Sequence, residues 1–349
     1  MKWTWILFFA VLIGAQAQEP PRTHIAYYTK TPIVVDGMDN DRAWGKVDWS
    51  DSFIDIEGVK TPTYDTKVKM LWDDNYYYIF AKIEEPHVWA TLKDHDAIMF
   101  HNNDFEVFID PNGNTHGYYE LEFNALNTLW DLFVVKPYRD QGNETLNEWE
   151  ALGIKSAVNV EGTLNNPKDK DTGWTIEIAI PFKSLRTNYF HLDPPKDRFW
   201  RVNFSRVNWD FDLDDNRYAR KKGDDGNLLH EYNWVWSPQG VISMHQPETW
   251  GYVYFSSKKA GQKASFVIPQ DDWIKWKMYA VYRAQRDHFK KNREWLTKEV
   301  ALPESEMEIN GNKVKFSIEY HQTGWNLSTI SPFTNRALIL THTGKFIKR

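Results

Sequence analysis

Residues 104–110, Asp-Phe-Glu-Val-Phe-Ile-Asp, alternate without a break. Successive side chains of an extended strand point to opposite faces. Phe105, Val107 and Ile109 therefore share one face, and Asp104, Glu106 and Phe108 share the other. Residues 118–125 do the same, with Tyr119, Leu121, Phe123 and Ala125 on one side and Tyr118, Glu120, Glu122 and Asn124 on the other. Between the two runs, Asp110-Pro-Asn-Gly-Asn114 has the residues of a turn, which predicts a hairpin. Pairing buries the apolar faces and merges the polar ones into a single acidic, amide-bearing surface. That surface has two readings. One is a solvated sheet face. The other is a polyol site, in which carboxylates and amides bond hydroxyls in a plane while aromatic rings stack beside them. The chain is 16% Phe, Trp and Tyr, with 18 Trp, so platforms are in supply.

Short alternating runs recur near 31–35, 66–72, 76–84, 104–110, 117–125, 128–136, 154–160, 173–180, 199–207 and 250–256, with Gly, Asn, Asp and Pro between them. Many short strands in this pattern predict an all-β protein, an antiparallel β-sandwich or barrel over residues 18–258. Pro181 to Leu185 reads as one helical turn. After residue 258 the texture changes. Residues 259–349 are predicted to hold a helix capped at Asp271-Asp272 and running to about Lys298, with Trp273, Trp276, Ala280 and Phe289 as its packing stripe. Strands at 306–309, 312–320 and 336–341 follow, with Asn310-Gly311 as a hairpin turn.

The first 17 residues read as a signal peptide. Lys2 precedes an apolar run from Trp3 to Gly14, and Ala15-Gln16-Ala17 places cleavage before Gln18. No later segment is long and apolar enough to span a membrane. The chain has no cysteine, which rules out disulfides, thiol catalysis, cysteine-ligated metals and the lipoprotein anchor. The expected location is therefore secreted, periplasmic or extracellular. A net charge of -6 gives no support to nucleic-acid binding.

Seven blocks in order resemble family nine carbohydrate-binding modules and the related DOMON-like sandwiches. They are Pro32 to Asp39 with Trp44, Val68 to Ile79, Asn103 to Asp110, Tyr118 to Asn124, Gly173 to Pro181, Arg201 to Phe204, and Trp250 to Val253. The resemblance covers roughly 31–256 and implies a β-sandwich, a poly- or oligosaccharide partner, a link to polysaccharide breakdown and possible structural calcium. It puts Glu106 on the carboxylate that meets sugar hydroxyls and Asn124 on a nearby polar position. The two tryptophan positions of the family's sugar clamp hold Phe100 and Met244 here, and a family arginine position holds Glu122. Trp89, Trp130 and Trp209 are candidate replacement platforms. Arg201 and Asn203 lie on the polar side of their strand, where Arg201 is expected to pair with Glu106 or Glu122. The candidate binding set is Trp89, Phe100, His101, Asp104, Glu106, Glu122, Asn124, Trp130, Arg201 and Asn203.

Other functions compete with simple binding. Paired carboxylates of this face, Glu106 and Glu122 first, meet the formal needs of a glycoside hydrolase, one acid and one base or nucleophile. Asp36, Asp39 and Asp41, or Asp212, Asp214 and Asp215, offer oxygen ligands for calcium. Asp110 to Asn114 lacks the later ligands of an EF-hand and is better explained as a turn. His87, His95, His101 and His116 gather around the same region, where a metal triad is a weaker alternative to solvated loop histidines. The helix of 271–298 is a third candidate, as a partner-binding surface.

Overall fold

The computed structural model describes residues 20–140, 145–187 and 193–349. The signal segment read at 1–17 lies outside them. Eleven strands form one continuous hydrogen-bonded path. Its first half runs Thr145–Leu146, Leu129–Val134, Tyr118–Asn124, Asp104–Asp110, Arg198–Asn208 and Gly251–Lys259. The second half runs Thr66–Trp72, Tyr76–Glu84, Gly173–Pro181 and Lys155–Glu161. Strand Thr23–Tyr28 joins the halves in parallel. It pairs Gly251–Lys259 along its length but reaches Thr66–Trp72 only at Tyr27 and Tyr28. The sheet turns over at this joint, so its halves face each other as a sandwich.

The core lies between the halves. Val68, Met70, Ile79, Ile83, Ile176 and Ile178 from one side meet Phe105, Val107, Ile109, Leu121, Phe123, Val202 and Phe204 from the other. Tyr77 sits edge-on to Phe255 with centroids 5.1 Å apart, a favourable aromatic contact across the layers. The strand phases read from alternation hold for Phe105, Val107, Ile109, Leu121 and Phe123.

Two expectations need correction. Residues 31–35 are not a strand: the chain there forms a loop, and the first strand is Thr23–Tyr28. Glu177 accepts hydrogen bonds from the backbone N–H groups of Asp36 (2.9 Å) and Gly37 (3.1 Å) and from Trp44 Nε1 (2.8 Å). Backbone donors committed to a side chain cannot join a ladder. The predicted stripe on the helix is also displaced. The helix spans Gln270–Asn292, and its buried apolar line is Ile274, Met278, Val281 and Tyr282 rather than Trp273, Trp276 and Ala280. This line packs on a four-stranded sheet built from Ser317–His321, Gly324–Ile330, Ala337–Thr341 and Phe346–Lys348, giving a second apolar core around Trp325, Leu327, Leu338 and Leu340. The turn at Asn310-Gly311 has both residues at positive φ, 48° and 75°, as a tight two-residue hairpin requires.

Candidate functional site

Glu106 pairs with Glu122 across the Asp104–Asp110 and Tyr118–Asn124 ladder, and Asp104 pairs with Asn124. Directly opposed residues share a face, so the acidic surface read from the sequence exists. It is not solvated, however. Asp104, Glu106, Glu120 and Glu122 are all buried, none more than 5% exposed. Loops cover the outer face of the sheet, with the short strand Tyr232–Val235 hydrogen-bonded beside Arg198–Asn208. They leave a cleft of about 210 Å³ with Glu106, Phe108, Glu120 and Glu122 in its floor. Its walls carry Phe100 and Trp130 on one side and Tyr138, Met244 and His245 on another, with Glu231, Asn233 and Ile242 at the rim. Phe100 and Trp130 lie 6.3 Å apart at 34°, and Tyr138 stacks against His245 at 3.6 Å.

The floor is an electrostatic anomaly. None of Asp104, Glu106 or Glu122 is paired with a lysine or arginine among the described residues. Backbone N–H groups reach two of them, Phe100 to Glu122 at 3.1 Å and Val207 to Asp104 at 3.2 Å, and the Ser205 hydroxyl stands against Glu106. Oxygens Asp104 Oδ2, Glu106 Oε2 and Glu120 Oε2 are buried without a hydrogen-bond partner. Burial disfavours the charged form of each group. It pushes Glu106 up to about 7. Burial and then the neighbouring Glu106 raise Asp104, Glu120 and Glu122 well above the carboxylate range. A floor that carries some protons donates as well as accepts, which matches the needs of a hydroxyl-rich ligand. Beside it His245 takes a hydrogen bond from or gives one to Tyr118 Oη at 2.6 Å, and burial lowers it to about 3.

The structure brings Phe100, Glu106, Glu122 and Trp130 into the cleft, with Asp104 against Glu106 and Glu122 but outside the lining, and separates the other candidates. Trp89 packs with Val207, Trp209 and Tyr218 in a small core of its own. His101 sits edge-on to Phe100 at 4.9 Å but does not line the cleft. Asn124 is occupied by a local turn, bonding Leu92 O and the N–H groups of Leu126 and Thr128. Asn203 bonds the backbone of Ser237 through both ends of its amide. Arg201 does not reach Glu106 or Glu122. Its partner across the ladder is Asp110, whereas Glu106 faces Ser205 at the other end of the strand. The Arg201 guanidinium stacks on Tyr252 at 4.1 Å and donates to Trp250 O and Glu248 O.

Tyr138, Glu231, Asn233, Ile242 and His245 escaped the sequence reading. They come from loops and a four-residue strand, where no period marks a site. The first group of calcium candidates has protein partners. Asp36 is used by Met38 N and Asn40, Asp41 by Val34 N, and Asp39 by Lys69. Asp110 takes the N–H groups of Gly113 (2.9 Å) and Thr115 (2.7 Å), which is turn chemistry. Of the four histidines, His95 lies with Asp96 and the buried Asp131, and His87 bonds Tyr218.

Residues 35–193 match the family described as carbohydrate family 9 binding domain-like. The matched stretch supplies the floor together with Phe100, Trp130 and Tyr138, while the rim from Glu231 to His245 lies beyond the matched residues. The chain is similar to exoglucanase XynX of Acetivibrio thermocellus, at 26% identity over 167 residues, 48% of this chain and 13% of the relative. It is also similar to endo-1,4-beta-xylanase A of Thermotoga maritima, at 30% identity over 90 residues, 26% of this chain and 8% of the relative. The chain thus spans a small fraction of these curated relatives. Among solved structures, a putative carbohydrate-binding protein from Bacteroides uniformis has 16% identity and a TM-score of 0.49, covering 67% of this chain and 99% of that one. A family 9 module from Caldicellulosiruptor kristjanssonii in complex with cellotriose has 16% identity and a TM-score of 0.44, covering 71% and 100%. Among the described residues no helix is long and apolar enough to cross a membrane.

Proposed function

We propose that the protein is a secreted carbohydrate-binding protein of polysaccharide recognition or breakdown, with the acidic-aromatic cleft as its ligand site. The observation that carries this reading is the juxtaposition within the matched stretch of unpartnered buried carboxylate oxygens with Phe100, Trp130 and Tyr138. A sugar ring has hydroxyls around its edge and apolar faces, so it needs planar polar groups beside an aromatic surface. The curated relatives to which the chain is similar carry the names exoglucanase and xylanase, which supports a glycan from plant-type polysaccharide as the first ligand to try. Phe100 is 37% and Tyr138 41% exposed, enough ring surface to receive a ligand.

The mature chain titrated with xylo- and cello-oligosaccharides should bind without releasing products. Trp130→Ala should weaken binding by about ten- to a hundredfold, in line with the loss of one stacking contact or strong hydrogen bond. Its thermal midpoint should stay near that of the unaltered protein, because Trp130 is only half-buried. Normal affinity in Trp130→Ala would move the site elsewhere. Turnover that disappears in Glu106→Gln would instead support the hydrolase reading.

A further inference from the structure

The carboxylates at the cleft floor are also close enough together to share a single ion. Asp104, Glu106 and Glu122 each offer a carboxylate oxygen, and these oxygens lie within 4.8 Å of one another. All three residues are buried, and no lysine or arginine among the described residues pairs with any of them. Elsewhere in this sandwich a buried carboxylate has its cation: Glu85 lies 3.6 Å from Arg206. A fourth group makes the contrast sharper. Glu120 lies outside that set of three, is 3% exposed and lines the same cleft, and its Oε2 has no partner. Asp104 Oδ2 and Glu106 Oε2 are equally unpartnered. Buried polar oxygens are almost always satisfied in folded proteins, by protein, water or an ion.

We propose that Asp104, Glu106 and Glu122 bind a divalent cation, calcium, in the floor of the cleft. The donor set is all oxygen and all carboxylate, which selects hard cations over zinc or copper. Calcium holds its oxygens at roughly 2.3–2.6 Å, so two ligands on opposite sides of one ion are about 5 Å apart. The observed spread falls inside that limit. Glu120 stands beside the set with a free oxygen. The open side faces the cleft, where water completes the shell. The proposal concerns the same oxygens on which the sugar reading rests, and calcium binding is measured with no glycan present, so the two readings fail separately.

Calcium chloride alone is the probe, titrated by calorimetry into the full chain after treatment with a chelator. One saturable site and a raised thermal midpoint are expected. Glu122→Gln and Asp104→Asn keep the side-chain volume and remove a charged ligand, and each should weaken calcium binding by about tenfold or more. Asp36→Asn, in the acidic run near the start, should bind as the unaltered chain does. If Glu122→Gln fails to fold, Asp104→Asn gives the reading. The proposal is overturned if no saturable binding and no midpoint shift occur up to roughly 10 mM calcium. It is equally overturned if both variants bind calcium as well as the original chain, or if Asp36→Asn loses the site.

Discussion

Single residues show how differently this sandwich treats its buried charges. Arg206 donates to Glu84 O at 2.8 Å, to Asn208 Oδ1 at 2.9 Å and to Thr66 Oγ1 at 3.2 Å, with Glu85 at 3.6 Å and the Trp234 ring at 5.0 Å. Glu85 takes further donors from Trp174 Nε1 and Asn103 Nδ2. Burial raises the Glu85 carboxyl, and Arg206 opposes that shift. Removing the guanidinium leaves a buried carboxylate with no cation, so Arg206→Met should cost about 3–5 kcal/mol in urea unfolding. Adding Glu85→Gln to that variant should recover part of the loss, because the stranded charge is gone. A cost below about 1 kcal/mol for Arg206→Met would show that the pair contributes little. Glu106 and Glu122 have no equivalent of Arg206, and this contrast separates the carboxylates that hold the fold from those that are free to meet a ligand.

At the scale of elements, the strands are the part that side-chain alternation specifies. Phe123 is fully buried between the layers, and Phe123→Ala should cost about 3–5 kcal/mol. A near-neutral result would mean that the strand is shifted by one residue, which would turn Glu122 into the core and the cleft floor outward. Strands 66–72, 76–84 and 104–110 were legible to the residue because each is an alternating or unbroken apolar run bounded by turn residues. The Ile33-Val34-Val35 run misled for a physical reason: apolarity predicts burial, not ladder pairing, and Glu177 had already claimed the backbone that follows. Thr23–Tyr28 was missed because it pairs in parallel with strands far away in sequence, and no local turn announces it. The helix face was displaced because Trp273 and Trp276 pack on each other, 4.9 Å apart, beside the line that enters the core. In the site the floor was legible and the rim was not. Carboxylates on a period-two strand announce their face, whereas Tyr138 and His245 arrive on loops whose closure depends on everything around them.

The whole molecule is what holds that rim in place. Helix Gln270–Asn292 has its apolar line in the second core and a polar edge against the sandwich. From this edge Arg283 reaches Asp140 Oδ1 at 2.6 Å and Glu248 Oε1 at 2.7 Å, bridging two loops. Tyr282 Oη adds a hydrogen bond to Asp140 at 2.8 Å, and Arg286 donates to Asp140 O at 2.6 Å. Asp140 follows the cleft residue Tyr138 by two positions, and Glu248 follows His245 by three. Arg139 also bonds Gln246, so the two loops are tied to each other as well as to the helix. Arg283 touches nothing in the cleft, yet it fixes both segments whose rings, Tyr138 and His245, stack to make one wall. Arg283→Ala should therefore weaken glycan binding while leaving the floor unaltered. It should also lower stability by about 3–5 kcal/mol, because Asp140 and Glu248 stay buried without their cation. The affinity loss should resemble that of Tyr138→Ala and should not add to it in the double variant, since both act through the same wall. Full additivity of the two losses in calorimetric titration would mean that the helix contributes stability alone, and that the wall keeps its shape without it.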